Sequence, residues 1–500
     1  MAKFYITTPI YYANAKPHIG HAYTTIAADV LARYHRMKGE EVFFLVGTDE
    51  HGEKIQKKAQ EGGKLPQEFV DEVSASFKLA WDILDISNDY FIRTTDKEHE
   101  RAVQFVLQTL FEKKYIYRGR YEALYCLGCE QYKTKADLVN GKCPDHQREP
   151  EIRSEEAYLF KLSLFQSELL KRIKNDEFKI LPLERKNEVI SFLEKEELKD
   201  IAISRRKEKV QWGVEFPFDK NHTCYVWIDA FLNYLTGLGW PSQKQKFKKF
   251  WPADIQLMSK DILRVHATIW PALLLALEIE LPKVLFIHGF FTVNGQKMSK
   301  SVGNVIDPVE ITQKYSPDVF RYFILREIPF GQDGDFSLKR LEKRYESDLA
   351  NSLGNLVARV LGITERYTKN EVPKIAKNCL INPWEKYEYY FATLELDKVL
   401  ETIWIFIGEL NRFIDQEKPW ALTKTNEKKL KEVVYILLES LRYLGWFLWP
   451  FMPTTSETIF SYLGLNNELK KRYNEGKKWG GLKPGIKINK GEPLFPRLIH

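Results

Sequence analysis

Residues Thr7–His21 read TTPIYYANAKPHIGH, and how this stretch folds decides the rest. The run Lys3–Thr7 leading into it is β-branched and aromatic, the composition of a buried strand. Pro9, Asn14 and Pro17 then disfavour any regular element before His18. From Gly20 onward apolar residues recur at helical spacing, at Ile26, Val30, Tyr34 and Met37. The reading is strand, irregular loop, helix, with His18-Ile19-Gly20-His21 at the junction. A helix N-terminus offers unpaired backbone N–H groups and a positive dipole end, where a phosphate sits well. His18 and His21 add side-chain donors, and Gly20 leaves room for a nucleotide to approach. Short HxGH matches also arise by chance and histidines also cap helices, so the stretch acquires meaning only beside a second feature.

Working outward, Glu41–Val46 predicts a second strand, followed by Gly47-Thr48-Asp49-Glu50-His51-Gly52 and a helix. Strand, helix, strand with a loop at the strand's carboxyl end is the doubly wound α/β pattern, which binds ligands outside the strand ends. Asp49 would face the same crevice as His18 and His21; the plainer alternative is that it caps the next helix. From about Tyr115 the pattern changes. Cys126-x2-Cys129 and, after thirteen residues, Cys143-Pro-Asp-His146 form a closed thiolate and imidazole set, the pattern of one structural zinc site. Tyr225–Ala230 re-enters strand-like sequence, and further on His266 and Trp270, four residues apart, share one face of a predicted helix. Far downstream, a turn at Asn294-Gly295 leads into Lys297-Met298-Ser299-Lys300-Ser301. After Arg344 the segments 346–367, 383–417 and 426–449 show helical periodicity and predict a bundle. Lys470–Lys490 is rich in Lys and Gly and reads as a solvated or RNA-facing tail.

Composition sets the bounds. Five hundred residues exceed one ordinary core, so several domains are expected. A net charge of +7 fits a nucleic-acid partner without establishing one. The N-terminus lacks an apolar leader, and Glu439 and Arg442 interrupt the most apolar stretch, so neither a signal peptide nor a membrane span is expected. Five cysteines, three of them clustered beside a histidine, point to a reducing, cytoplasmic setting and a metal rather than disulfides.

HIGH near the start and KMSKS far downstream are together similar to the signature pair of the class I aminoacyl-tRNA synthetases. The surrounding residues resemble the methionyl branch over nearly the whole chain. That resemblance implies ATP, L-methionine and tRNA(Met) as substrates, Mg2+ with the ATP, and no DNA or membrane partner. It implies phosphate contacts and transition-state stabilisation by His18, His21 and Lys300, a catalytic loop held closed with the help of Lys297, and ATP contacts by Gly20, Asp261, Ser299 and Lys300. It maps a methionine pocket onto Ile10, Tyr12, Asp49, Trp227, Ala230, Tyr234, Ile262, His266 and Trp270, with Asp49 holding the amino group. Arg205 matches a substrate-anchoring arginine, and Asn355, Arg359 and Trp420 match an anticodon reader. Singly, Trp420 would plug the bundle and Arg359 would pair with a carboxylate. Ser259 and Phe231 depart from the family's usual Gly and occasional Pro, which bears on the rim of the pocket.

The implied architecture is a Rossmann-type parallel sheet in two halves, 1–115 and 223–290, split by a zinc-knuckle insertion at 116–222. A KMSKS region (291–345), an all-α anticodon-binding bundle (346–480) and a tail (481–500) follow. The family's further OB-like domain is not seen, so the expectation is a monomer or a subunit with a separate tRNA-binding polypeptide. Leucine, isoleucine and valine enzymes share both motifs but need a larger editing insertion, because binding alone separates their side chains poorly. A cysteine enzyme is smaller and would place zinc in the amino-acid pocket. A tRNA-binding protein without ligase activity would have lost a motif residue, and a zinc-bearing RNA scaffold leaves the Asp49 and Trp227 pocket unexplained.

Overall fold

Lys3–Thr7 (β1) forms the expected strand, buried from Phe4 onward. The computed structural model describes residues 2–133, 138–144, 147–298, 304–374 and 381–498. Around β1 assembles a seven-stranded sheet with Tyr11–Tyr12 (β2), Glu41–Asp49 (β3), Tyr90–Arg93 (β4), Lys179–Leu181 (β5), Ile255–Ser259 (β6) and Val284–His288 (β7). All its pairings are parallel. A sheet covered on both faces needs continuous apolar strands, which the buried run Val42–Val46 supplies. The chain runs from β1 to β3 and β4 on one side, and returns with β6, β7 and β5 on the other. The strand order therefore switches between β1 and β6, where such sheets open a crevice.

Three local expectations are corrected here. Regular structure resumes before His18: β2 pairs with the end of β3 on the flank that β1 occupies. The Leu45 and Asp49 carbonyls accept from Thr8 and Ala13, whereas Phe44 and Thr48 accept from Asp89 and Thr94 on the opposite flank. Thr7 stands opposite Leu45 and Tyr11 opposite Thr48, so one extra residue bulges around Pro9, which has no N–H to lose from the ladder. The second strand also runs past Val46 to Asp49. Tyr225–Ala230, strand-like in composition, is a helix over Val226–Phe231 (α1). Its β-branched and aromatic residues pack at helical spacing against the pocket, and that packing overrides strand propensity.

The segment 116–222 is less self-contained than its sequence implies. Ile116–Cys126, Gln131–Lys133, Glu151–Phe160 and Ile201–Ala202 make a separate antiparallel sheet. Between the last two, β5 returns to the edge of the parallel sheet beside β7.

The C-terminal region is helical, as its periodicity predicts, but 383–417 is two helices. Trp384–Ala392 and Leu396–Glu417 are parted at Leu394, whose φ of 60° no helix tolerates. Lys470–Lys490 is no solvated tail. The buried Glu439 carboxylate accepts from the backbone N–H groups of Gly480, Gly481 and Leu482, and Arg442 donates to the Gly476 and Lys478 carbonyls. Leu482, Ile488 and Phe495 are buried.

One side chain pins the two regions together. The fully buried Arg321 guanidinium donates to Asp29 (2.7 Å), to the Leu84 carbonyl, and to the Pro450 and Phe451 carbonyls of the bundle. Asp29 lies on the helix Ile19–Met37, whose Tyr34 stacks on Phe391 of the bundle at 3.8 Å.

Candidate active site

His18 caps the helix Ile19–Met37 in extended geometry, its Nδ1 accepting from the Gly20 N–H at 3.1 Å. The His18 N–H in turn donates to His21 Nδ1 at 3.2 Å, and the two rings stack at 3.7 Å. Capping and phosphate binding are thus compatible readings of the motif. With both Nδ1 atoms accepting, each neutral ring carries its proton on Nε2. Burial, followed by the neighbouring His18, holds the His21 pKa well below the usual histidine range. A Cβ at position 20 would come within 2.9 Å of the His18 ring, so a larger residue there would displace that ring. The helix start lies outside the carboxyl end of β1, at the switch in strand order.

The downstream motif reaches the same place. Asn294 and Gly295, at φ 51° and 77°, turn a tight hairpin between Phe291–Val293 and Gln296–Lys297. Asp335 braces it, accepting from Thr292 Oγ1 and the Gly295 N–H. Met298 Cε lies 3.6 Å from where a Gly20 Cβ would stand, and the Ile19 N–H donates to the Ile306 carbonyl at 3.1 Å. Ser299 and Lys300 lie outside the described residues, as does the side chain of Lys297.

An aromatic wall rises from α1 and the helix Leu263–Ala276 (α2). Phe231 meets His266 edge to face at 4.9 Å and stacks on Trp270 at 5.8 Å, and Trp227 meets His266 at 6.2 Å. His266 Nδ1 donates to the Ile262 carbonyl and Nε2 accepts from the Tyr234 hydroxyl, both at 2.9 Å. Burial lowers its pKa to about 4, so the ring is neutral and its orientation is fixed by both nitrogens. Trp270 is fully buried, donating to Gln256 Oε1, and backs the wall from behind. Ala230 is buried; Ile10 lies over Gly47, and Ile262 is half-buried. The Trp227 indole nitrogen is buried with no partner among the described residues, in contrast to that of Trp270.

Asp49 closes β3 with Oδ1 buried and unpartnered among the described residues. Its pKa is raised well above the carboxylate range by burial, then by Asp229, Glu130 and Glu50. Asp229 is the opposite case. Burial opposes its charge, yet His51 (2.7 Å) and His99 (3.0 Å) hold its pKa down to about 2. His51 rises in response, against its own burial. Asp229, His51, His99 and Glu130 carry no signal of this in their spacing. The buried Arg205 lies over the rings of Tyr125 and Tyr225, at 5.2 and 4.3 Å. Asp261 is exposed at the end of β6 and accepts from Ser259 Oγ.

The Cys126, Cys129 and Cys143 sulfurs lie within 4.8 Å of one another, with Cys129 and Cys143 at 3.5 Å. His146 lies outside the described residues. Burial, with Cys126 and Cys143 alongside, pushes the Cys129 thiol well up. A divalent cation among three converging sulfurs would reverse that, and soft thiolates suit zinc. Chelation is expected to lower the melting temperature, and metal analysis to find zinc in the untreated protein. Metal-free protein with chelator-insensitive melting would exclude the site.

In the bundle, Lys418 takes a left-handed conformation and Pro419 starts a new helix, a corner that leaves Trp420 51% exposed. It does not plug the core. Arg359 does pair with a carboxylate, Asp415, and with Asn411, across a partly exposed surface where such pairs exchange readily. Arg359, Arg366, Tyr367 and Trp420 line a groove of about 680 Å³; Asn355, one turn before Arg359, is exposed outside it.

A parallel sheet whose strand order switches beside a two-histidine helix start, with a distant segment brought against it, defines the catalytic domain of a class I aminoacyl-tRNA synthetase. Residues 4–149 and 136–361 match the family described as class I tRNA synthetases (M), and 370–500 match the anticodon-binding domain of methionyl tRNA ligase. The chain belongs to the methionyl-tRNA synthetase family. A methionine–tRNA ligase of Caldanaerobacter subterraneus subsp. tengcongensis is 46% identical, over 99% of this chain and 79% of that protein. One from Thermotoga maritima is 43% identical, over 99% and 80%. The Mycobacterium tuberculosis methionyl-tRNA synthetase solved with methionyl-adenylate superposes with a TM-score of 0.94 at 35% identity, covering 99% of this chain and 100% of that one.

Proposed function

We infer that the chain joins L-methionine to tRNA(Met) in two steps driven by ATP. In the first, the methionine carboxylate attacks the α-phosphate of Mg2+-bound ATP, giving methionyl-adenylate and pyrophosphate. In the second, the terminal adenosine of the tRNA takes the methionyl group through its 2′-hydroxyl, and AMP leaves. No covalent enzyme intermediate is needed; positioning and charge stabilisation supply the rate.

In this reading His18 and His21 donate to the phosphates at the helix N-terminus, with the Gly20 backbone against the nucleotide. Lys300 neutralises charge developing on the phosphates from the other side, with Lys297 and Ser299 in the same loop. Asp261 meets the ribose. Asp49 holds the methionine ammonium, and Arg205 anchors the substrate region from its place beside the Tyr125 and Tyr225 rings. Ile10, Tyr12, Trp227, Ala230, Tyr234, Ile262 and His266 surround the thioether, with Trp270 behind them. Aromatic edges suit a polarizable sulfur, at about 0.3–1.5 kcal/mol per contact. Cys126, Cys129, Cys143 and His146 would hold a structural zinc. No described helix is long and apolar enough to cross a membrane.

The observation that carries the reading is the buried Asp49 oxygen, unpartnered among the described residues and close enough to α1 to feel Asp229: it calls for a cation, and α1 carries the aromatic wall for an apolar tail. ATP–pyrophosphate exchange without tRNA, tried with each amino acid, tests it. Exchange with methionine alone supports the pocket. Exchange with another amino acid keeps the class and overturns the pocket, and none at all overturns the activity. For the second step, Asn355, Arg359 and Trp420 are assigned to the anticodon. Trp420→Ala is expected to lower tRNA charging by about 10- to 100-fold, the worth of one base stack, and to leave exchange unchanged. A fall in both would make Trp420 a structural residue.

A further inference from the structure

Glu130 directly follows the second knuckle cysteine, yet it is only 4% exposed and its carboxylate reaches the catalytic domain. One oxygen accepts from the Tyr12 hydroxyl, the other from the Lys54 N–H at 2.8 Å. Its backbone carbonyl accepts from the Tyr225 hydroxyl at 2.6 Å, and Lys54 Nζ donates to the Gly128 carbonyl at 3.0 Å. The turn Gly128–Glu130 is therefore held by three separate parts of the catalytic domain: the β2 segment, the helix Glu53–Glu61 and the residue before α1. Gly52 shows that the backbone is shaped for this meeting. Its φ is +117°, and a Cβ there would lie 2.9 Å from both Glu130 oxygens and from the Tyr12 hydroxyl. No other residue fits.

We propose that Glu130 is a positioning residue for methionine: anchored in the cysteine turn, it fixes the Tyr12 ring in the pocket wall. The inference rests on the reading of Tyr12 and Asp49 as methionine-binding residues. It gives the cysteine knuckle a role in substrate affinity although no cysteine is among the residues assigned to the pocket. A hydroxyl bound to a carboxylate is a strong contact, and losing it frees a ring that must otherwise be ordered when methionine binds.

The test compares Tyr12→Phe, Glu130→Ala, Glu130→Gln and the double variant Tyr12→Phe/Glu130→Ala in the full, zinc-loaded chain. Methionine is titrated by intrinsic tryptophan fluorescence, and exchange kinetics separate KM for methionine, KM for ATP and kcat. Tyr12→Phe and Glu130→Ala are each expected to weaken methionine binding about tenfold, the double variant no further, with KM for ATP unchanged. Glu130→Gln, whose carbonyl still accepts from the Lys54 N–H while its NH2 donates to the Tyr12 oxygen, keeps both contacts and retains most of the affinity. Additive losses, or native methionine affinity in Glu130→Ala, would overturn the proposal; so would a fall in kcat alone. Should Glu130→Ala lose zinc or fail to fold, Tyr12→Phe and Glu130→Gln decide. Weaker methionine binding by zinc-retaining Tyr12→Phe, with affinity largely kept in Glu130→Gln, supports the link; native affinity in Tyr12→Phe overturns it. Asp49→Asn separates the two levels. If it leaves methionine binding intact, the pocket reading itself fails. If it abolishes binding while the Tyr12 and Glu130 variants bind normally, only the present inference fails.

Discussion

Lys300→Ala is expected to slow pyrophosphate exchange by about 10²–10³-fold, the usual cost of removing a preorganised charge from a transition state. Methionine affinity should stay as in the native chain. The reason is where the motif's neighbours lie. Met298 sits beside Gly20 and the Ile306 carbonyl is bonded to Ile19, so the residues flanking the motif on both sides meet the helix start proposed to receive phosphate. On that proposal Lys300, between them in sequence, would meet charge that grows as pyrophosphate departs, whereas the pocket proposed for the methionine side chain is built from other elements. Single-turnover adenylate formation with a parallel methionine titration measures both quantities. An equal loss of methionine affinity would remove Lys300 from the phosphate role.

The second large effect is expected at Asp49. In the ligand-free site its charge is suppressed by burial and by three neighbouring acids, Asp229 first among them. An arriving ammonium compensates that cost, so methionine binding and ionisation of Asp49 are linked. Because the free carboxyl has a raised pKa and methionine selects its ionised form, affinity should fall as the pH is lowered, with proton release on binding. Asp49→Asn keeps the shape, removes the charge and is expected to cost about 10²–10³-fold in kcat/KM for methionine, the scale of a broken buried ion pair. The variant should also lose the pH dependence of methionine affinity that belongs to this group. Unchanged affinity, or an unchanged pH profile, would place the ammonium elsewhere.

What the sequence discloses follows from how each feature is encoded. β1 and the helix after it are local: an apolar run, proline punctuation and a helical stripe state them within some thirty residues. The two motifs are short and chemically dense, so they stand out even when hundreds of residues apart. Tyr225–Ala230 misled because its β-branched and aromatic residues serve tertiary packing, and composition alone does not tell a buried strand from a buried helix turn. Glu130, Asp229 and His99 were hidden for another reason. Each acts through a partner on a distant segment, and nothing in its neighbourhood marks a carboxylate that will end beside two histidines or a tyrosine. The C-terminal stretch was hidden too: its lysines are on the surface, but its backbone N–H groups, which no composition reports, bind Glu439.

Arg321 has a consequence for how this chain can be divided. Its guanidinium is satisfied jointly by Asp29, by the turn at Leu84 and by two carbonyls from the far end of the molecule. A fragment cut after residue 345 would keep the cation and its carboxylate but lose the Pro450 and Phe451 acceptors. It would also bare the face of Tyr34 that Phe391 covers. The boundary that motifs draw between catalysis and tRNA reading is a boundary of chemistry; as material, the first helix of one region is roofed by the other, and neither has a finished surface where they would be parted.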